Sequence, residues 1–125
     1  MDDKKIFGAF LKEKRKERMI TTRAMGEALD VGHGYYSDFE SGYRSIPIEL
    51  ELLDKIKTVL NLSEKDTLML YDLAGKARDA APPDLTGYIN NTPKARVALR
   101  VAKETATDED WDYITKYLEN KKEEK

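Results

Sequence analysis

The chain has 125 residues, 40% hydrophobic and 37% charged, with a formal net charge of −2, which bounds it to one compact helical domain or one domain with an appendage. It has no cysteine, so disulfides, thiolate metal sites and cysteine nucleophiles are excluded, and with His33 as its single histidine no Ser-His-Asp triad with a neighbouring acid is suggested, nor a His-rich metal site. No run approaches the roughly 18 apolar residues of a membrane span, the opening MDDKKIFGAF lacks the apolar core of a signal peptide, and no phosphate-cradling or dinucleotide-binding glycine pattern occurs; no enzyme, cofactor, metal or membrane partner is expected, and the expected location is the cytoplasm.

The spacing predicts a first helix from about Lys4 to Arg18. Phe7, Leu11 and Arg15 fall at i, i+4 and i+8, so a guanidinium continues an apolar stripe. A charge on an inner face needs a partner, because burying it unpaired is costly. The same helix opens a basic cluster of Lys12, Lys14, Arg15, Lys16, Arg18 and Arg23. Residues 1–47 hold 9 Lys/Arg against 8 Asp/Glu (+1), and residues 48–125 hold 13 against 16 (−3), which together give the net −2. Local field, more than net charge, guides a phosphate backbone.

Residues 21–42, TTRAMGEALDVGHGYYSDFESG, read as two short helices joined by a tight turn. The first runs from about Thr22 to Leu29 with Thr21 as N-cap, and Met25, Ala28 and Leu29 share one face. Gly26 in mid-helix costs roughly 1 kcal/mol against alanine, which close approach of a second helix would offset. Asp30-Val31-Gly32 is the turn. The second helix runs from about His33 to Ser41, ended by Gly42 in the left-handed conformation. Tyr36, Phe39 and Glu40 form its inward face, and His33, Gly34, Ser37 and Asp38 its outer one. Glu40 is the second charge on an inward face, so an Arg15–Glu40 salt bridge is predicted between the first and third helices; two solvated charges are the alternative.

This is the layout of a helix-turn-helix, whose second helix offers its outer face to the DNA major groove. The segment Tyr35-Tyr36-Ser37-Asp38-Phe39-Glu40-Ser41-Gly42 follows an apolar pair, Ser, a variable residue, an apolar residue, Glu, any residue and Gly. In this it resembles the Xre/Cro/cI (lambda-repressor-like) helix-turn-helix family over about residues 6–70. The resemblance implies the same Arg15–Glu40 pair. Two departures stand out. Thr22 occupies a place where many members carry a phosphate-binding glutamine, and Gly34 one where many carry a polar base reader.

Tyr43-Arg44-Ser45-Ile46-Pro47 reads as a loop, with Pro47 suited to the first turn of a fourth helix over about Ile48 to Leu60. Leu52, Leu53, Ile56, Val59 and Leu60 form that helix's stripe, and Asn61 stops it. Ser63 caps a fifth helix, with Asp66 as capping-box partner. Leu68, Met69, Tyr71, Leu73 and Ala74 carry its apolar character to about Ala77. Ala81-Pro82-Pro83 breaks the chain. A short helix over Asp84 to Ile89 is followed by one over about Pro93 to Glu104, with Val97, Leu99, Val101 and Ala102 in packing positions. Thr107 caps a last helix, whose Asp108, Glu109 and Asp110 sit at its positive end. Trp111, Ile114 and Leu118, flanked by Tyr113 and Tyr117, form its aromatic stripe. The tail Lys121–Lys125 is expected to fray.

These elements imply an all-α fold: a five-helix lambda-repressor-like domain over 4–79 and a C-terminal helical extension over 80–125. The expected function is a sequence-specific double-stranded DNA-binding regulator, a repressor, reading the major groove with the helix at about 33–41. Base readers are His33, Gly34, Ser37 and Asp38. Backbone contacts are Thr22, Arg23, Tyr35, Tyr43 and Arg44, with packing the alternative for Tyr35 and solvated charge for Arg23 and Arg44. Proteins of this type act as dimers on paired half-sites, so a homodimer is expected. Trp111, Ile114, Tyr117 and Leu118 are candidates for its interface, with closure of the chain's own core as the alternative. The second class of function is a partner-binding or antirepressor-like module that keeps the fold without DNA activity, reaching a protein partner through the extension.

Overall fold

The computed structural model describes residues 2–43 and 49–124. Eight helices lie among them: α1 (Asp3–Glu17), α2 (Thr22–Leu29), α3 (His33–Ser41), α4 (Leu50–Leu60), α5 (Glu64–Ala77), α6 (Pro83–Asn91), α7 (Pro93–Thr105) and α8 (Asp108–Glu123). No strand occurs among the described residues. The expected helix start at Pro47 and Ile48 lies outside them.

Capping chemistry sets most of the boundaries. Thr21 Oγ1 accepts from Ala24 N at 3.0 Å, Ser63 Oγ from Asp66 N at 3.1 Å, and Thr107 and Asp110 complete a reciprocal capping box. Asp30, Gly42 and Asn61 end α2, α3 and α4 in the left-handed region. The chain divides into two compact units, one reaching Gly87 and one beginning at Tyr88.

In the first unit α1 packs on α3 and α5, α2 on α3 and α4, and α4 on α5. The core they enclose comprises Phe7 and Leu11 of α1, Met25 and Leu29 of α2, Tyr36 and Phe39 of α3, Leu53, Ile56 and Leu60 of α4, and Leu70, Tyr71 and Ala74 of α5. Two glycines permit backbone-close contacts. A Cβ on Gly8 would lie 2.2 Å from Glu40 O, so α1 crosses the end of α3 against bare backbone; one on Gly26 would lie 2.9 Å from His33 Cα, which seats α2 against the start of α3.

The apolar phase of α5 differs from expectation. Leu68 and Met69 are exposed, while Thr67 and Leu70 face inward beside Tyr71 and Ala74. Tyr71 Oη donates to Asp54 Oδ1 at 2.6 Å and ties α5 to α4. Asp66 pairs with Lys14 of α1 at 3.1 Å.

The second unit also departs from the sequence reading. No described residue of α7 or α8 is buried, so the packing expected of Val97, Leu99 and Val101 is not made between the helices of this unit. Arg96 Nη1 donates to the carbonyls of Ile89 (3.0 Å) and Asn90 (2.6 Å), joining the end of α6 to α7. The tail expected to fray continues as helix to Glu123.

Candidate nucleic-acid interface

The third helix is held from behind by three inward side chains. Tyr36 and Phe39 are fully buried. Glu40 meets Arg15 in a two-pronged ion pair, Nε to Oε2 at 2.7 Å and Nη2 to Oε1 at 3.0 Å. Arg15 Nη1 also donates to Ile20 O at 2.8 Å. One guanidinium therefore fixes α1, the α1–α2 turn and α3, and because its fork matches a carboxylate it fixes orientation as well as distance. The Glu40 hydrogen bonds hold the Arg15 pKa above its usual value, against the opposing effect of burial. The Tyr36 hydroxyl lies beside this pair, buried and without a hydrogen-bond partner among the described residues. Burial, with the Glu40 carboxylate adding to it, holds that phenol well above the usual tyrosine range.

The opposite face carries the expected reading residues. His33 and Gly34 are exposed, and Ser37 and Asp38 are half-buried. A Cβ at Gly34 would meet nothing within 4 Å. Gly32, the N-cap, supplies no side-chain cap. Tyr35 combines its two readings: its ring packs edge-on against Phe39 with centroids 4.9 Å apart, yet 39% of the residue stays accessible.

The flanks of α3 are ordered by local bonds. Ser41 Oγ donates to Asp38 O at 3.1 Å, and Tyr43 N donates to the same carbonyl at 3.0 Å. Gly42, at φ 76°, turns the chain and leaves Tyr43 84% exposed just beyond the helix. At the start of α2, Thr22 is half-buried and Arg23 exposed. Arg44 lies outside the described residues.

Half of the basic cluster is engaged within the first unit. Arg15 is bound to Glu40. Lys14 pairs with Glu17 and Asp66 and lies over the Phe10 ring. Arg18 donates to Leu60 O (2.8 Å) and Asn61 O (3.0 Å), satisfying the end of α4. Lys12, Lys16 and Arg23 remain exposed. Sequence reasoning missed Lys5. The packing of α1 on α3 sets the Lys5 side chain against Gly42, where a Cβ would approach its Cγ to 2.8 Å. No local spacing signals this, since the two residues are 37 positions apart. Trp111, Ile114, Tyr117 and Leu118 are 41%, 37%, 56% and 50% exposed on α8.

Three comparisons with known proteins bear on this site. A family described as Helix-turn-helix matches residues 11–66. The chain is 39% identical over 62 residues to the ImmF control region 10 kDa protein of Bacillus phage phi105; the alignment covers 50% of this chain and 66% of that relative, just short of two thirds of its length. No solved structure matches.

Proposed function

Through residues 11–66 the chain belongs to the Xre/Cro/cI-type helix-turn-helix family, and from that premise we propose that it is a sequence-specific double-stranded DNA-binding transcriptional regulator, a repressor, that reads the major groove with α3. The observation that carries this reading is the two-sidedness of α3. Tyr36, Phe39 and the Arg15–Glu40 pair lock one face, and His33, Gly34, Ser37 and Asp38 line the other. A rigidly seated helix with a small, polar outer face is what entry into a groove about 12 Å wide requires.

In this reading His33 donates to or accepts from a base edge, Asp38 accepts from a cytosine amino group, and Gly34 admits close approach. Thr22, Arg23, the free amides of α2, Tyr43 and Arg44 hold phosphates on either side. Lys5, set against Gly42, adds a cation from α1 at the end of α3. Tyr35 reaches sugar or a thymine methyl from its packed position on Phe39. Two copies acting on paired half-sites about 34 Å apart would repress by occupying an operator. The phage relative's name places that protein in a control region, which supports regulation here.

A second reading, a protein-binding module on the same fold, is favoured by one observation: Lys14, Arg15 and Arg18 are engaged within the chain, and Asp38 sits on the outer face. Fluorescence anisotropy with random-sequence duplex DNA at two salt concentrations separates the two. DNA binding predicts steep weakening with salt, and Arg23→Ala/Arg44→Ala is expected to lower affinity and flatten the log–log salt slope by about 1.8, some 0.9 per cation. No binding at the lower salt would leave the protein-binding reading.

A further inference from the structure

Most glycines of α1 to α5 have a reason inside the chain. Gly8, Gly26 and Gly75 are packed: a Cβ on them would lie 2.2 Å from Glu40 O, 2.9 Å from His33 Cα and 2.9 Å from Ala80 O. Gly42 sits at φ 76°, where glycine alone is unstrained. Gly32 is the N-cap of α3, a place glycine fills at little cost. Gly34 has none of these reasons. It lies within α3, is exposed, and opens to space in which a Cβ would meet no described residue within 4 Å. A glycine in a helix weakens it relative to alanine, so what offsets Gly34 lies outside the chain. Gly87 in α6 is open as well, but it is on no face that the proposed function uses.

Position names the contact. Ser37 and Asp38 neighbour Gly34 at i+3 and i+4, and His33 precedes it, so Gly34 is a notch in the middle of the outer face of α3. The bare Cα at the floor of that notch neither donates nor accepts a hydrogen bond. A base edge that presented a donor or acceptor there would lose its water and gain no partner. Among the groups on the major-groove edges of the base pairs, the C5-methyl of thymine is the apolar one. The next residue, Tyr35, adds fixed apolar surface at the flank, its ring edge-on to Phe39 with centroids 4.9 Å apart and the residue 39% accessible.

We propose that Gly34 is a specificity-determining residue, and that the notch it leaves in the outer face of α3 takes the C5-methyl of a thymine in each half-site. This rests on the proposed DNA-binding function and names a base that the site selects.

The test is a cycle between one methyl on the protein and one on the DNA. A preferred duplex is first selected by the wild type from a random-sequence pool. Each thymine of its half-sites is then replaced in turn by uracil, which lacks only the C5-methyl and keeps its pairing. At one position the wild type is expected to bind the uracil duplex about fourfold more weakly per half-site, the transfer value of a single methyl group. Gly34→Ala puts a methyl of its own into the notch. It is expected to bind the thymine duplex more weakly than the wild type does, and to reverse the preference at that same position, holding uracil more tightly than thymine. Its helical circular dichroism should be retained, because the new Cβ meets no described residue. At the other thymines the two proteins should respond alike. A selected half-site without thymine overturns the proposal while DNA binding stands. So does a uracil response that is the same in wild type and Gly34→Ala at every position. A wild type that retains no duplex from the pool fells the DNA-binding reading and this inference with it.

Discussion

Arg15 and Glu40 sit where a single change separates two effects on the same helix. Both side chains are about nine-tenths out of solvent, 11% and 8% accessible, and bonded at two points. Removing one partner strands the other charge in a poorly hydrated site. Glu40→Ala is therefore expected to cost about 3 kcal/mol in urea or thermal unfolding. Replacing both by apolar residues of similar size, Arg15→Met/Glu40→Leu, should restore most of that loss, because no unpaired charge remains. A double mutant as unstable as Glu40→Ala would mean that the pair supplies net stability beyond geometry. Tyr36 gives the opposite expectation. Its hydroxyl is buried without a partner among the described residues, so Tyr36→Phe keeps the packing and removes an unpaid desolvation, raising stability by up to about 1 kcal/mol. A loss of similar size would show that the hydroxyl is bonded in solution.

Helices and their junctions carry the next set of consequences. Gly34 opens to empty space while Gly8 abuts the Glu40 carbonyl. Gly34→Ala is accordingly expected to stabilise α3 by roughly 0.5–1 kcal/mol through helix propensity, and Gly8→Ala to destabilise the fold by more than that, since backbone must move. The same calorimetric scan ranks both. Helix α5 supplies a pH dependence. Burial first, then the bond to Asp54, pushes the Tyr71 pKa up to about 12 from an ordinary 10.0. The folded chain thus holds that proton more tightly than the unfolded one. The contribution is complete below pH 10 and is lost as pH rises from about 10 towards 12. Thermal melting over that window should fall, and fall less steeply in Tyr71→Phe. The caps at Thr21, Ser63 and Thr107, and the left-handed end at Gly42, were legible because each is chemistry within a few residues. The Arg15–Glu40 contact was legible because both residues break an apolar face. Phase within α5 was not: Leu68-Met69-Leu70-Tyr71 is continuously apolar, and only the neighbours α1 and α4 decide which residues turn inward. Gly8 and Lys5 were missed for the same reason, as their roles exist only once α1 lies across α3.

On the scale of the whole molecule, a chain of net charge −2 must bind an anionic duplex through local field. Arg15, Lys14 and Arg18 are spent inside the first unit, and the proposed interface draws on Arg23, Arg44 and Lys5 as its cations. Three phosphate contacts per copy correspond to a salt slope of about −2.7. That is too shallow for tight binding by one copy at physiological salt. It becomes useful when two copies share one duplex, because linking two modules makes the second contact effectively intramolecular. The paired reading therefore predicts a stoichiometric signature: on a selected operator the slope should approach about −5.4 with two chains bound per duplex, and on an isolated half-site it should fall to about half. Equal slopes on the full site and the half-site would show that the copies bind independently and would overturn the paired reading.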